Sequence, residues 1–134
     1  MAQAAKVIGD VYYQPVEETL ISLLSAENAR VKFYAAQALG RLKSEKAIGG
    51  LLSMIEQNND EDLYLRHAGV YALYRIGKAE PVIALENHPS KAMRTAAVLV
   101  LRRLSNENVA RFLDDEDEYI VTEAARAIND DFSI

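Results

Sequence analysis

Two histidines, His67 and His88, are the side chains of this sequence best suited to metal chemistry, and the chain has no cysteine. Zinc sites join three or four His, Cys or carboxylate ligands at short, regular spacings. The two histidines stand in different segments, with no third ligand in register. The pattern therefore predicts no metal site, and we expect His67 on an exposed helix face and His88 in the turn before Pro89.

The acidic run DDEDE at residues 114–118 raises the question of calcium. A calcium loop requires alternating oxygen ligands, a central glycine and a distal glutamate. Here the alternation is partial and the glycine is absent. A turn whose carboxylates meet the positive N-terminus of the next helix explains the run better.

Nothing in the pattern of residues points to catalysis. Gly49 and Gly50 fall inside a predicted helix rather than in a phosphate-binding loop. No serine or threonine has a suitable base beside it, and nothing marks two surface carboxylates as a glycosidase pair. The sequence predicts no catalytic residue and no cofactor, and hence a protein that is not an enzyme.

Composition narrows the class of partner. The 134-residue chain carries a net charge of −5 and has a pI near 5.0, which argues against nucleic acids and anionic membranes as ligands. The longest apolar run, AAVLVL at 96–101, is far shorter than the roughly 20 residues that cross a bilayer. MAQAAKVIGD lacks the apolar segment of a signal peptide. A soluble protein is expected, and the absence of cysteine fits any redox compartment.

One helical face recurs along the chain at intervals of about thirty residues, a period that indicates a solenoid. The copy that contains RVKFYAAQALG (30–40) has the spacing of one side of a 3.6-residue helix. The copies are Val31, Ala35, Ala38, Leu39 and Leu42; Leu65, Gly69, Ala72, Leu73 and Ile76; Met93, Ala97, Val100, Leu101 and Leu104; and Ile120, Ala124, Ala127 and Ile128. A partial first copy is Ala4, Val7 and Ile8, followed by Gly9.

Each complete copy is preceded by a residue type that caps helices. Three positions before the first core residue stand Asn28, Asp62, Ser90 and Asp117, whose side-chain oxygens can accept from a first-turn N–H. Partner helices are predicted at 15–27, 44–57, 79–88 and 106–113, the last two of about two turns. We refer to the partner helix as the A element and to the capped helix as the B helix of each repeat.

The predicted fold is all-α, a right-handed α–α superhelix of about four helical hairpins plus a partial N-terminal repeat. Each B helix is expected to pack on its own A element and on the next B helix. The recurring alanines allow this close approach, so leucine at Ala35 or Ala97 would overpack the contact by roughly 1–3 kcal/mol.

The motif N-x-x-V-K-x-x-A-A-x-A-L-G at 28–40 resembles the B-helix signature of HEAT repeats of the short PBS-lyase type. The second half, from LRHAGVYALYRIGKAEP through VARFLDDEDEYIVTEAARAINDDFSI, is similar to the HEAT segment of bacterial multidomain proteins. Those proteins join a sorbosone/glucose-dehydrogenase-like β-propeller, HEAT repeats and a c-type haem domain. That resemblance implies a connector in an exported oxidoreductase, although no propeller or haem motif occurs here.

This resemblance sets the expected domain organisation. Residues 1–134 are predicted to form one HEAT-like repeat domain, an excerpt of a larger protein, because Phe132 and Ile134 have no following helix to cover them. The expected location is extracytoplasmic if the multidomain resemblance holds and cytoplasmic otherwise.

In HEAT-like solenoids the B helices line the concave side, which implies a groove on that face. The positions facing it would be Phe33, Gln37, Arg41, His67, Tyr71, Tyr74, Arg75, Leu99, Arg103 and Arg126, with Thr95, Thr122 and Arg102 also placed on this face. Aromatic residues beside arginines are typical of protein-binding hot spots. The predicted partner is a protein, or a neighbouring domain of the same chain.

Three alternatives remain open for this face. Its residues could be ordinary packing and solvated arginines, with Lys32, Arg66 and Arg94 paired to turn acids. The face could bind DNA in an enzyme that acts on bases, or belong to a bilin-lyase-like enzyme; the acidity of the chain argues against both. It could also be a structural spacer that binds nothing.

Overall fold

Capped helices follow one another along the chain at the predicted spacing. The computed structural model describes residues 15–131, and within that range it contains helices and no strand. The α-helices are α1 (15–23), α2 (Ala29–Leu42), α3 (Ile48–Asn58), α4 (Leu63–Ile76), α5 (Glu80–Ile83), α6 (Lys91–Arg103) and α7 (Glu118–Asp130). Two 3₁₀ segments span Glu45–Ala47 and Glu107–Asp114. The all-α prediction is confirmed, whereas the partial first copy lies outside the described residues.

All four predicted N-caps are confirmed. The side chains of Asn28, Asp62 and Asp117 each accept from two backbone N–H groups of the first turn. Ser90 accepts from the N–H of Met93. Each cap satisfies N–H groups that a helix leaves without an internal partner, so these residues fix where the B helices α2, α4, α6 and α7 begin.

The A elements shorten along the chain more than predicted. α3 has eleven residues, whereas α5 has only four. Pro89 disfavours helical geometry at His88, but α5 already ends at Ile83, with four residues between Ile83 and His88. The last A element, Glu107–Asp114, is a 3₁₀ helix.

The B helices form one row and the A elements form a second row against it. Within the B row, α2 contacts α4, α4 contacts α6, and α6 contacts α7. Across the rows, α3 packs on α4, α5 on α6, and the 3₁₀ helix Glu107–Asp114 on α7. One hydrophobic cluster runs between the rows from Leu24 to Ala127. This is the predicted solenoid arrangement: α4, α6 and α7 each pack on their own A element, and successive B helices pack on one another.

Helix α6 is enclosed on almost every side. Its residues 92–98 are all buried, because α6 contacts α3, α4, α5, α7 and the 3₁₀ helix Glu107–Asp114. Thr95 is 1% exposed, so the prediction that it faces a groove is wrong. A helix surrounded by five neighbours has few outward positions.

Small residues mark the closest approach between B helices. A Cβ atom added to Gly40 would lie 2.9 Å from the Cα of Ala72, closer than real Cβ contacts. Ala35 and Ala36 are buried beside this contact, while Ala38 is half-buried. The predicted role of small residues is confirmed at Gly40, which lies directly against the backbone of Ala72.

The first core position of α2 is an exception. Val31 is 37% exposed, whereas Leu65 and Ile120 at the same register are buried. α2 is the first B helix within the described residues, and no earlier described B helix covers it. The prediction that Val31 is a core residue is therefore wrong.

None of the helices within residues 15–131 combines the length and the hydrophobicity that a membrane-spanning helix needs.

Candidate functional site

Seven of the predicted groove residues come together on three successive B helices. We call this set the aromatic–arginine surface. It consists of Gln37 and Arg41 on α2; His67, Tyr71 and Tyr74 on α4; and Leu99 and Arg103 on α6.

Three aromatic rings run along the exposed side of α4. His67 and Tyr71 are one turn apart, with ring centroids 6.5 Å apart and planes inclined by 21°. Tyr74 follows, with its centroid 6.3 Å from that of Tyr71. Residues spaced three and four apart lie side by side on a helix, so the spacing in the sequence places the three rings in one row.

Arg103 reaches from α6 to the rings on α4. Its guanidinium carbon lies 5.9 Å from the ring centroid of Tyr71 and 5.8 Å from that of Tyr74. Such cation–π contacts contribute about 0.5–1 kcal/mol at exposed sites. No carboxylate pairs with Arg103 within residues 15–131. The tyrosines therefore orient the cation without neutralising it.

Two adjoining pockets open on this surface. One, of about 160 Å³, lies between α2 and α4 and includes Gln37, Arg41 and Tyr71. The other, of about 460 Å³, lies between α4 and α6 and includes Leu99 and Arg103. His67 lines both, and no aspartate or glutamate lines either one.

The other predicted surface residues lie apart from this set. Phe33 packs partly against the core and lines a different pocket. Arg75 is exposed at the end of α4, and a Cβ atom added to Gly40 would lie 3.7 Å from the Cβ of Arg75. Arg126 is exposed on α7 and pairs with Glu123 at 3.4 Å.

A family model described as HEAT repeats matches residues 2–74, more than half of the chain. The chain belongs to the HEAT-repeat family. No curated protein matches it, so the narrower resemblance of the second half to multidomain oxidoreductases stays a prediction.

Tyr34 and Tyr64 were not predicted as site residues. With Phe33 and Leu65 they line a pocket of about 230 Å³ where α2 and α4 begin. Tyr64 is 77% exposed, the second residue after its N-cap, and Tyr119 at the same register is 44% exposed. This register in the HEAT repeat is the signal that could have revealed Tyr64, whereas Tyr34, six residues after its N-cap Asn28, does not share it.

Adjacent arginines of the third HEAT repeat have different partners. Arg102 donates to Glu123 and to Asp130, each at 3.0 Å. Arg103 contacts the tyrosines instead. Arg66, which lines the larger pocket with Arg102, lies 3.7 Å from Asp60. Among the arginines lining the two pockets, only Arg41 and Arg103 form no ion pair with a described residue.

The turn acids behave as predicted for a HEAT hairpin. Asp115 accepts from the Nε of Arg94 at 2.9 Å, and Arg94 also donates to the carbonyl of His88 at 2.8 Å. The Lys91 ammonium, hydrogen-bonded to Asp117, is the largest influence lowering the pKa of that carboxyl. The alternative that Lys32, Arg66 and Arg94 pair with turn acids is confirmed for Arg66 and Arg94. Lys32 forms no ion pair with a residue in the range 15–131.

The histidines lie where they were expected. His67 is exposed on α4, and His88 is in the turn before Pro89, where its Nδ1 accepts from the N–H of Ser90. Among the described residues, no group of three His, Asp or Glu side chains could hold a metal ion.

Proposed function

We propose that the chain is a non-enzymatic scaffold that holds a protein segment on the aromatic–arginine surface. The segment belongs to a separate protein or to a neighbouring domain of the same chain. The observation that carries the proposal is the position of Arg103. It lies over Tyr71 and Tyr74, lines the larger of the two pockets, and has no carboxylate partner among residues 15–131.

Chemistry and family both support this proposal. Tyrosine and arginine are enriched in binding hot spots because they combine a large contact area with directed polar groups. Here the contacts between Arg103 and the two tyrosines already restrict these side chains, so binding would cost less conformational entropy. HEAT repeats generally act as protein-interaction scaffolds and are typically non-catalytic.

The test is selection of binding peptides from a random displayed library. We expect selected peptides to lose binding when Tyr71→Ala and Arg103→Ala are combined. The matched control combines Tyr119→Ala and Arg111→Ala, which removes the same residue types from exposed positions outside the surface. Peptides that bind both variants equally well would disprove this location.

A fold control accompanies the binding measurement. Tyr71 is half-buried and Arg103 is exposed, so the double variant should keep the helical circular dichroism of the parent chain. If it does not, Tyr71→Phe with Arg103→Gln removes the tyrosine hydroxyl and the cation while keeping most of the packing.

The connector form of the proposal makes a separate prediction. If this segment joins a dehydrogenase-like propeller to a haem domain, the reading frame should encode a β-propeller upstream and Cys-x-x-Cys-His downstream. Flanking sequence with neither feature would reject the connector form and leave binding of a separate protein.

A further inference from the structure

We propose that the segment bound on the aromatic–arginine surface is acidic, with Asp or Glu carboxylates paired to Arg41 and Arg103. This inference rests on the proposed function and names the chemistry of its partner.

Charge segregation is the first argument. Acidic side chains outnumber basic ones, 20 to 15, and the net charge is −5. Nevertheless the linings of the two pockets hold four arginines and no carboxylate. Two of the four, Arg66 and Arg102, already pair with acids, which leaves the charges of Arg41 and Arg103 uncompensated among residues 15–131. A positive site on a negative protein attracts acidic segments and repels basic ones, because complementary potentials favour encounter and like charges oppose it.

Unused hydrogen-bonding capacity is the second argument. A guanidinium has five N–H donors in a planar fork that fits a carboxylate. Neither the guanidinium of Arg41 nor that of Arg103 donates a hydrogen bond or forms an ion pair within residues 15–131. By contrast, Arg102 already pairs with Glu123 and Asp130. Arg41 and Arg103 can therefore pair with the carboxylates of a ligand without breaking an existing ion pair.

The same geometry favours a protein segment over a nucleic acid. Base stacking needs an open aromatic face, and the guanidinium of Arg103 lies over Tyr71 and Tyr74. Tight phosphate binding draws on many cations at once, whereas this surface has two unpaired arginines on a protein with net charge −5. Spaced carboxylates match it better than a continuous phosphate backbone.

Fluorescence anisotropy with three labelled peptides of equal length tests the partner chemistry. The peptides share one leucine and differ in being rich in Glu, Gln or Lys. We expect the Glu-rich peptide to bind at least about tenfold more tightly than the other two at low salt, and salt to weaken it by screening.

Charge reversal provides the decisive variant. Arg41→Glu with Arg103→Glu should reduce binding of the Glu-rich peptide by about tenfold or more and increase binding of the Lys-rich peptide. The matched control, Lys46→Glu with Arg111→Glu, makes the same change of charge at exposed positions that line neither pocket. If the reversed chain fails to fold, Arg41→Gln with Arg103→Gln replaces it.

The outcomes separate this inference from the proposed function. If the library peptides depend on Tyr71 and Arg103 but are neutral or basic, the scaffold function stands and the acidic partner is wrong. If no peptide depends on those residues, both fail. An equal loss in the control variant would also overturn the inference, since net charge alone would then explain the binding. The inference would also be overturned if single-stranded or duplex DNA bound more tightly than the Glu-rich peptide and if charge reversal abolished that binding.

Discussion

The two ends of α6 carry the same residue type in opposite situations. Near its start, the Arg94 side chain is 10% exposed and pairs with Asp115, whose side chain is 3% exposed. At its end, Arg103 is exposed and lies over two tyrosines. One guanidinium is satisfied by the protein itself, and the other is left with its donors free.

This difference shows how one helix serves both the fold and the surface. At Arg94, the turn before α7 supplies a carboxylate and the turn before α6 supplies two backbone carbonyls. At Arg103, α4 presents tyrosine rings in place of acids. Burial and partners, rather than residue type, decide which arginine stabilises the protein and which is available to a ligand.

The largest expected effect comes from exchanging each arginine for leucine. Arg94→Leu should lower the free energy of unfolding by about 3–5 kcal/mol, because it leaves Asp115 buried without its cation. Arg103→Leu should change it by less than about 1 kcal/mol, since it removes only exposed cation–π contacts. Urea denaturation of both variants measures the difference, and similar losses would remove the contrast between the two ends.

A pair of glycines sharpens the comparison between tight and open positions. Gly40→Ala should cost roughly 1–3 kcal/mol of unfolding free energy, because the new Cβ would meet the backbone of Ala72. Gly49→Ala, in α3 with nothing within 4 Å of its built Cβ, should stabilise by about 0.5–1 kcal/mol. Thermal unfolding measures the stability of both variants. A gain of stability in Gly40→Ala would mean that α2 can move away from α4.

The cap at the start of α7 provides an intermediate effect. Asp117→Ala should lower the stability of the protein measurably, but less than Arg94→Leu, because the N–H groups of Tyr119 and Ile120 lose their acceptor. Glu118→Ala is the control, since Glu118 is exposed on the same turn and does not cap the helix. Chemical denaturation measures both variants. If Asp117→Ala and Glu118→Ala lost equal stability, the effect would be due to charge rather than to capping.

The smallest expected effect concerns pH at the same turn. The pKa of Asp117 is lowered, chiefly by its hydrogen bond with Lys91, so its stabilising effect is present above the ordinary aspartate pKa and is lost as pH falls through the lowered value. Lys91→Met should therefore raise the pKa of Asp117, with little change in stability at neutral pH. Carboxyl NMR titration tests this, and an unchanged pKa would exclude Lys91 as the main cause.

Features fixed by local spacing were predictable from the sequence. The caps Asn28, Asp62, Ser90 and Asp117 are confirmed because capping depends only on nearby backbone. The face made by His67, Tyr71 and Tyr74 follows from helical periodicity.

Features set by neighbouring helices were not predictable in the same way. Thr95 has the register of a groove residue, yet the neighbours of α6 bury it. Arg102 and Arg103 are adjacent in sequence, and only the positions of α4 and α7 separate their roles.

The enclosure of α6 has a dynamic consequence. A helix that contacts five neighbours cannot separate locally without disrupting the core between the two rows, so its amides should exchange with solvent only through near-global opening. Leu99 and Arg103 are therefore carried on a rigid support. Any adjustment to a ligand at the proposed site should therefore occur in the side chains, while α6 acts as its fixed wall.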